Sequence, residues 1–313
     1  MKKIYISGHQ GMVGSALVRA IKRSSPEFEL ILAERKKLDL LDQNAVCQFI
    51  RKEKPDIIIN AAAKVGGIHA NNTFPAEFIH QNLLINVNLI HSAWENGVER
   101  FLNLGSSCIY PCASKQPIKE DYLLTGMLEK TNEAYALAKI AGLEMCKHYR
   151  HQYGVLFHSA MPTNLYGPGD NYHSENAHVL PAMIRRFYEA KEAGIKEVTI
   201  WGSGKPRREL MYVDDLAKGV LFLLTLKDPP NWVNLGTGID HSIFEIAEIV
   251  KETIGFQGSI KNDLTKPDGM PVKRLDVSLM KSLGWEAEIK LEDGVKFAYE
   301  DFREGLALGN TRL

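Results

Sequence analysis

Tyr135-Ala-Leu-Ala-Lys139 sets a phenol and an ammonium four residues apart. In an alanine-rich helical stretch that spacing puts both groups on one face, where they can enter one site. A free tyrosine ionises near pH ~10. A lysine charge beside it lowers that value and makes the phenol usable for proton transfer near neutrality. Ser106, at the end of the apolar run RFLNLGSS (100–107), adds a third hydrogen-bonding group. The same stretch, GSSCIYP (105–111), places a thiol, Cys108, beside two hydroxyls. A cysteine at such a point is ordinarily a small core residue, and only its company suggests chemistry.

A second constellation is Gly8-His9-Gln10-Gly11-Met12-Val13-Gly14, which follows the apolar run KIYISG (3–8) and opens a helical pattern. There, glycines let backbone amides approach a pyrophosphate, and the helix N-terminus adds partial positive charge. A strand–helix turn can require glycine for steric reasons alone; its place in the first strand–helix–strand unit favours a dinucleotide. About 20 residues further on, an acidic side chain would bind an NAD ribose and a basic one would take the NADP 2′-phosphate. Both types occur there, Glu34 and then Arg35, Lys36 and Lys37, and the basic run inclines the reading to NADP(H). Asp39 and Asp42 are better placed for the adenine edge than for the ribose.

These groups need a scaffold, and the chain alternates. Short apolar runs at 3–8, 28–33, 56–63, 100–107, 156–167 and 232–236 read as strands. Helical patterns at 13–24, 43–53, 82–97, 133–154 and 213–225 separate them. Continuous rather than alternating apolar strands predict a parallel sheet covered on both faces. The fold class expected is therefore α/β, a Rossmann-type doubly wound sheet. After Tyr166 come a polar loop (167–178), a helix (179–194) and a strand and turn dense in glycine and arginine (198–210). With a further helix at 242–255, these predict a smaller C-terminal α/β substrate domain at the carboxyl edge of the sheet. The expected division is 1–165 plus about 211–240 for the dinucleotide, and about 166–210 plus 241–313 for the substrate.

The 38 basic and 38 acidic residues cancel, which argues against a nucleic-acid or anionic-membrane surface. The four cysteines form no CxxC pair, so neither a zinc knuckle nor a disulfide framework is expected. The N-terminus lacks the apolar run of a signal peptide and no stretch suits a membrane span, so a cytoplasmic protein is expected.

With NAAA (60–63), Asn82 and RELMYVDDLA (208–217), the glycine loop and the Ser106, Tyr135 and Lys139 set resemble an extended short-chain dehydrogenase/reductase acting on nucleotide sugars. The resemblance covers essentially the whole chain. AAAKVGGIHANN (61–72), GSSCIYP, PTNLYGPGDN (162–171) and SENAHVLPAMIRRF (174–187) are similar to the bifunctional branch acting on GDP-4-keto-6-deoxy-D-mannose. The resemblance implies 3,5-epimerisation followed by NADPH-dependent reduction at C4, giving GDP-L-fucose. In the wider superfamily, 4,6-dehydratases carry an acidic pair just after the catalytic hydroxyl and 4-epimerases carry small non-acidic residues. Here that slot is Ser107-Cys108.

By the same resemblance Cys108 is the epimerisation base and His178 the opposing acid. A thiol near ~8.5 can be drawn towards neutrality by cations, and histidine titrates in the useful range. Tyr135 would protonate the developing alkoxide, Ser106 would hydrogen-bond the carbonyl, and Lys139 would hold the cofactor ribose. Beside the glycine loop, Arg35, Lys36 and Asp39, the implied cofactor residues are Leu40, Ala61, Ala62, Leu104, Gly105, Pro162, Asn164, Leu165 and His178. For the GDP moiety they are Arg186, Trp201, Arg208, Asp268 and Lys273, and no metal is implied. One position departs: Gln10 stands where some relatives carry an arginine that can help hold the 2′-phosphate. Helices around Leu83–Glu95 and Ala134–Arg150 are expected to pair in a homodimer, as in relatives. Two other readings are a plain NADP-dependent 4-reductase of another nucleotide-keto-sugar, with Cys108 structural, and a non-catalytic dinucleotide-sensing module. The latter should have lost the Ser–Tyr–Lys set, which is present.

Overall fold

A computed structural model describes residues 1–24, 27–174, 176–266 and 268–313; Glu175, within the 174–187 motif, and Pro267 lie outside the described residues. The chain begins β1 (Lys2–Ser7), α1 (Met12–Ser24), β2 (Phe28–Ile31), α2 (Gln43–Glu53), β3 (Ile57–Asn60), α3 (Ile68–Thr73), α4 (Pro75–Glu95) and β4 (Arg100–Leu104). It continues with α5 (Glu133–Tyr153), β5 (Leu156–Pro162), β6 (Asn164–Tyr166), α6 (Val179–Glu192), β7 (Glu197–Trp201), β8 (Arg207–Tyr212) and α7 (Val213–Thr225). The last elements are β9 (Trp232–Leu235), β10 (Asp240–Ser242), α8 (Ile243–Ile254), β11 (Ser259–Asp263), β12 (Val272–Lys273), α9 (Ser278–Ser282) and α10 (Leu291–Leu308).

Six strands form the main sheet in the order β2-β1-β3-β4-β5-β9, and every pairing in it is parallel. Strand periodicity explains its two covered faces. Ile4, Ile6, Ile57 and Ile59 pack on one side with Leu17 of α1 and Leu216 and Val220 of α7. The alternate residues Tyr5, Ile58 and Phe101 pack on the other with Val46 and Ile50 of α2 and Leu89 and Ile90 of α4. This is the doubly wound sheet expected. α2 runs over the residues expected because Asp42 caps it, accepting from the Ala45 amide at 3.0 Å. α4 starts seven residues before the expected Asn82, since Pro75 is suited to a first helical turn.

The run at 156–167 is two strands, not one. β5 pairs with β9 in the main sheet, whereas β6 pairs with β8 in a second sheet ordered β10-β8-β12. Thr163 is the step between sheets, its amide on Leu235 O at 3.0 Å and its hydroxyl donating to Glu209 O at 3.3 Å. β10 and β12, of three and two residues, are too short to leave a pattern. Tyr166, Phe187, Ile246, Val250 and Phe302 build the core of this part, and α9 returns Met280 to the core of the main sheet.

Glu209 of β8 is fully buried and meets no cation in ion-pair range among the described residues. Burial raises its carboxyl, against the backbone hydrogen bonds of Leu275, Gly238 and Thr237. Oε1 accepts from the Thr237 and Gly238 amides at 2.7 and 2.9 Å, and Oε2 from Leu275 at 2.7 Å. A Cβ at Gly236 would lie 2.1 Å from Oε1. One carboxylate thus ties the turn after β9 to the chain just beyond β12. No helix among the described residues is long and apolar enough to cross a membrane.

Candidate active site

The main sheet reverses its winding between β1 and β3, and ligands bind such sheets in the crevice outside the strand ends at that point. The glycine loop leaves β1 there. Gly8 has φ +71° and a Cβ on it would lie 2.8 Å from Ala62 Cα; a Cβ on Gly14 would lie 2.1 Å from Gly8 O. The Gly11 amide donates to Gly8 O at 2.9 Å, and α1 begins at Met12 with no acidic residue in its first turn. The loop is therefore tight and its positive helix end uncancelled. Ala61 and Ala62 brace it from β3, fixed in turn by Asn60, which accepts from Ser7 Oγ at 2.8 Å and donates to Asn86 and Asn103.

Arg35 and Lys36 are exposed on a turn closed by Lys37 and Leu38 amides on Glu34 O, and no carboxylate pairs with either among the described residues. Asp39 caps the Leu41 amide at 3.1 Å, and Leu40 packs inward against the α2–α4 core. Met12, Val13 and Leu165 pack on the opposite core. Pro162 is buried, and Asn164 donates to Glu209 O at 3.0 Å. At Gly105 a Cβ would lie 2.2 Å from Met161 Sδ. A tight amide-lined loop on a helix start, with unpaired cations one strand away, fits a phosphorylated dinucleotide.

At the carboxyl end of β4, Ser106 caps a short 3-10 turn (Ser107–Ile109), its Oγ accepting from the Cys108 amide at 3.2 Å. Lys139 of α5 is buried and donates to Leu104 O at 2.9 Å; burial lowers its pKa to about 8. Its Nζ lies 5.7 Å from the Tyr135 ring centre. The expectation that Lys139 lowers the tyrosine is not what this geometry produces. Tyr135 is pushed up, first by burial and then by the Cys108 charge, against a hydrogen bond with Ser106. Such a phenol stays protonated at neutral pH, the form a proton donor needs.

Cys108 is partly buried, and Lys273 Nζ lies 3.4 Å from its Sγ. Burial raises the thiol, but the Lys273 charge and hydrogen bonds from Ser106, Lys273 and Asn132 prevail and hold it below its usual value. Lys273, expected at the GDP moiety, is thus a neighbour of the thiol. Asn132, at the entry to α5, and Glu209, which holds the chain after β12, were not read from the sequence. An asparagine just before a helix is a capping signal that gives no hint of a sulfur neighbour.

His178 stands at the N-terminal edge of α6 and caps no amide. The residue keeps exposed surface, while burial of the imidazole first, and Lys273 second, hold it below its usual value. The 61–72 loop meets its segment, since a Cβ on Gly67 would lie 3.3 Å from Asn176 O. Arg208 of β8 is registered opposite Lys273 and donates to Met270 O at 2.6 Å. Arg186 and Trp201 line one open groove of about 400 Å³, Arg186 donating to Thr199 O at 2.7 Å. Trp201 is 64% exposed, an aromatic face left to solvent. Asp268 accepts from Ser203 N and Oγ at 2.8 and 2.7 Å. Strand pairing thus joins Arg208 to the thiol side, while Arg186 and Trp201 lie together on the α6–β7 face.

The sequence pattern of the NAD dependent epimerase/dehydratase family matches residues 4–236. The chain is 53% identical over 298 residues to GDP-L-fucose synthase 1 of Arabidopsis thaliana, covering 95% of this chain and 92% of that one. It is 47% identical to GDP-L-fucose synthase of Escherichia coli strain K12, over 97% of each. The crystal structure of a GDP-L-fucose synthetase from Naegleria fowleri bound to NADP superposes with a TM-score of 0.91 at 27% identity, covering 100% of this chain and 96% of that one.

Proposed function

The chain belongs to the NAD dependent epimerase/dehydratase family, and from that premise we propose that it converts GDP-4-keto-6-deoxy-D-mannose to GDP-L-fucose, inverting C3 and C5 and then reducing C4 with NADPH. The observation that carries the reading is the lysine-paired thiol of Cys108, two residues from the Ser106 hydroxyl and in the electrostatic reach of Tyr135. A reductase alone has no use for an activated thiol.

In a 4-keto sugar C3 and C5 both flank the carbonyl, so a base can remove either proton to leave an enolate. Cys108 takes the proton and His178 returns one from the opposite face. Ser106 hydrogen-bonds the C4 oxygen, where charge collects in the enolate and again in the alkoxide. Bound NADPH supplies the hydride to C4. Tyr135 protonates the C4 oxygen, and Lys139 holds the nicotinamide ribose while fixed to Leu104. Arg186, Arg208, Trp201 and Asp268 hold the GDP, guanidinium groups being suited to a diphosphate. Incubation with GDP-4-keto-6-deoxymannose and NADPH should yield GDP-L-fucose; a C4-reduced product with C3 and C5 uninverted would leave a plain reductase.

The exchange step should show a plateau in pH. It needs Cys108 ionised and His178 protonated. Both pKa values are lowered, the thiol's from a higher starting point. The productive form is then bounded by these two values. Its acid limb falls below the ordinary imidazole value and its alkaline limb below the ordinary thiol value. Lys273→Met removes a charge that lowers both the thiol and the imidazole, so both limbs should move to higher pH. Solvent-deuterium uptake against pH checks both.

For the cofactor, Arg35 and Lys36 stand unpaired for a 2′-phosphate. Arg35→Ala should weaken NADPH binding much more than NADH; equal losses would contradict the preference. We place the enzyme in a reducing cytoplasm, which keeps a catalytic thiol free. We infer a homodimer through α4 and α5, which pack together and leave Val87 and Leu137 exposed. A light-scattering mass of one chain would refute it.

A further inference from the structure

We infer that Arg312 binds the 2′-phosphate of NADPH, supplying the cation that the glycine loop does not carry. The inference rests on the cofactor reading above and extends it to a residue some 300 positions from the loop.

From Gly8 to Gly14 the loop contains no lysine or arginine, and Gln10 occupies the position where an arginine would serve. A guanidinium nevertheless reaches the backbone there: Arg312 Nη2 donates to Gln10 O at 2.7 Å. This is not a long side chain that happens to reach across solvent. The backbone of Arg312 forms a parallel bridge with Asn171, and its carbonyl accepts from the Tyr172 amide at 2.8 Å. The 167–171 loop that anchors it lies against the start of α1, since a Cβ on Gly169 would be 3.9 Å from Met12 Cα. Gly169 is itself held by Asp301, which accepts from its amide at 3.1 Å.

Arg312 is exposed and spends one donor on Gln10, and no carboxylate lies within ion-pair range of it among the described residues. The acid it influences is Asp170, whose buried carboxyl is raised to about 7, first by burial, with the Arg312 charge acting the other way. Near neutral pH that carboxyl is only partly ionised and offsets the guanidinium only in part. A planar group with free donors, held at the glycine loop by the Gln10 carbonyl, is the form of cation that takes a phosphate monoester by paired hydrogen bonds.

The test is binding without sugar. NADPH and NADH are titrated into the wild type, Arg312→Ala, Arg312→Lys and Arg35→Ala, followed by fluorescence of the bound nicotinamide, with 2′,5′-ADP and 5′-ADP as nicotinamide-free probes. Melting temperatures are recorded in parallel. Arg312→Ala should weaken NADPH and 2′,5′-ADP about tenfold, the effect of one charged hydrogen-bonding partner. It should change NADH and 5′-ADP less than about twofold, and Arg312→Lys should fall between. Unchanged NADPH affinity overturns the inference, as does equal weakening of both dinucleotides, which would make Arg312 only a fastener of the loop. A wild type that does not bind NADPH fails the cofactor reading itself. An Arg35→Ala effect specific to NADPH without an Arg312→Ala effect fails only the present inference.

Discussion

Cys108→Ala should abolish solvent-deuterium incorporation at C3 and C5 of the keto sugar while leaving the hydride machinery in place. Removing a general base costs about 10²- to 10⁴-fold. The deletion removes one sulfur atom from a partly buried site, so little rearrangement is expected. Lys139 keeps its bond to Leu104 O, and Ser106 keeps the backbone amide of residue 108 although it loses the thiol. Tyr135 loses one of the two influences that raise its pKa, but burial, the larger, persists. It therefore stays a protonated donor, and NADPH binding should be unchanged. Exchange at the wild-type rate in this variant would reduce Cys108 to packing and leave a plain reductase.

The opposite dissection is expected from Tyr135→Phe. The phenyl ring keeps the edge-on contact with Phe78, 6.3 Å between centres, so the helix and the neighbouring loop hold their places. What is lost is the proton for the C4 oxygen. NADPH oxidation should fall by about 10²- to 10⁴-fold, while exchange at C3 and C5 continues, because Cys108, Lys273 and Ser106 retain their mutual contacts. The two rates are measured on one sample, deuterium by mass spectrometry and cofactor by absorbance. Equal loss of both in either variant would mean that one proton network serves both steps.

Local pattern made some of this legible and distance hid the rest. α2 and α7 could be read to the residue because an amphipathic stripe and flanking strands bound them. Tyr135, Lys139 and Ser106 could be read because four residues of helix and one strand end define their relation. The pairing of Lys273 with Cys108 spans 165 residues and depends on a two-residue strand, β12, held beside β8. No periodicity records such a contact. Tyr135 shows a second kind of limit. The four-residue spacing correctly suggests a shared face, but the balance between a lysine charge and burial depends on how deep the ring lies, which spacing does not encode. Arg312 is more remote still, since its meeting with Gln10 arises only when the chain's two ends are folded together.

The buried carboxylate of Glu209 has a consequence for how such a chain can change over generations. Position 236 must be glycine because Oε1 fills the space of its Cβ, 2.1 Å away. A side chain at 236 is excluded only while the glutamate is present. Loss of the glutamate alone strands three backbone amides. The two positions are therefore epistatic: a substitution at 236 that is ruinous in this background becomes sterically permitted once 209 has changed, and the background that permits it has already lost the clamp. Lineages that kept the glutamate are thereby confined to glycine at 236, a constraint that arises 27 residues away from the position where it is felt.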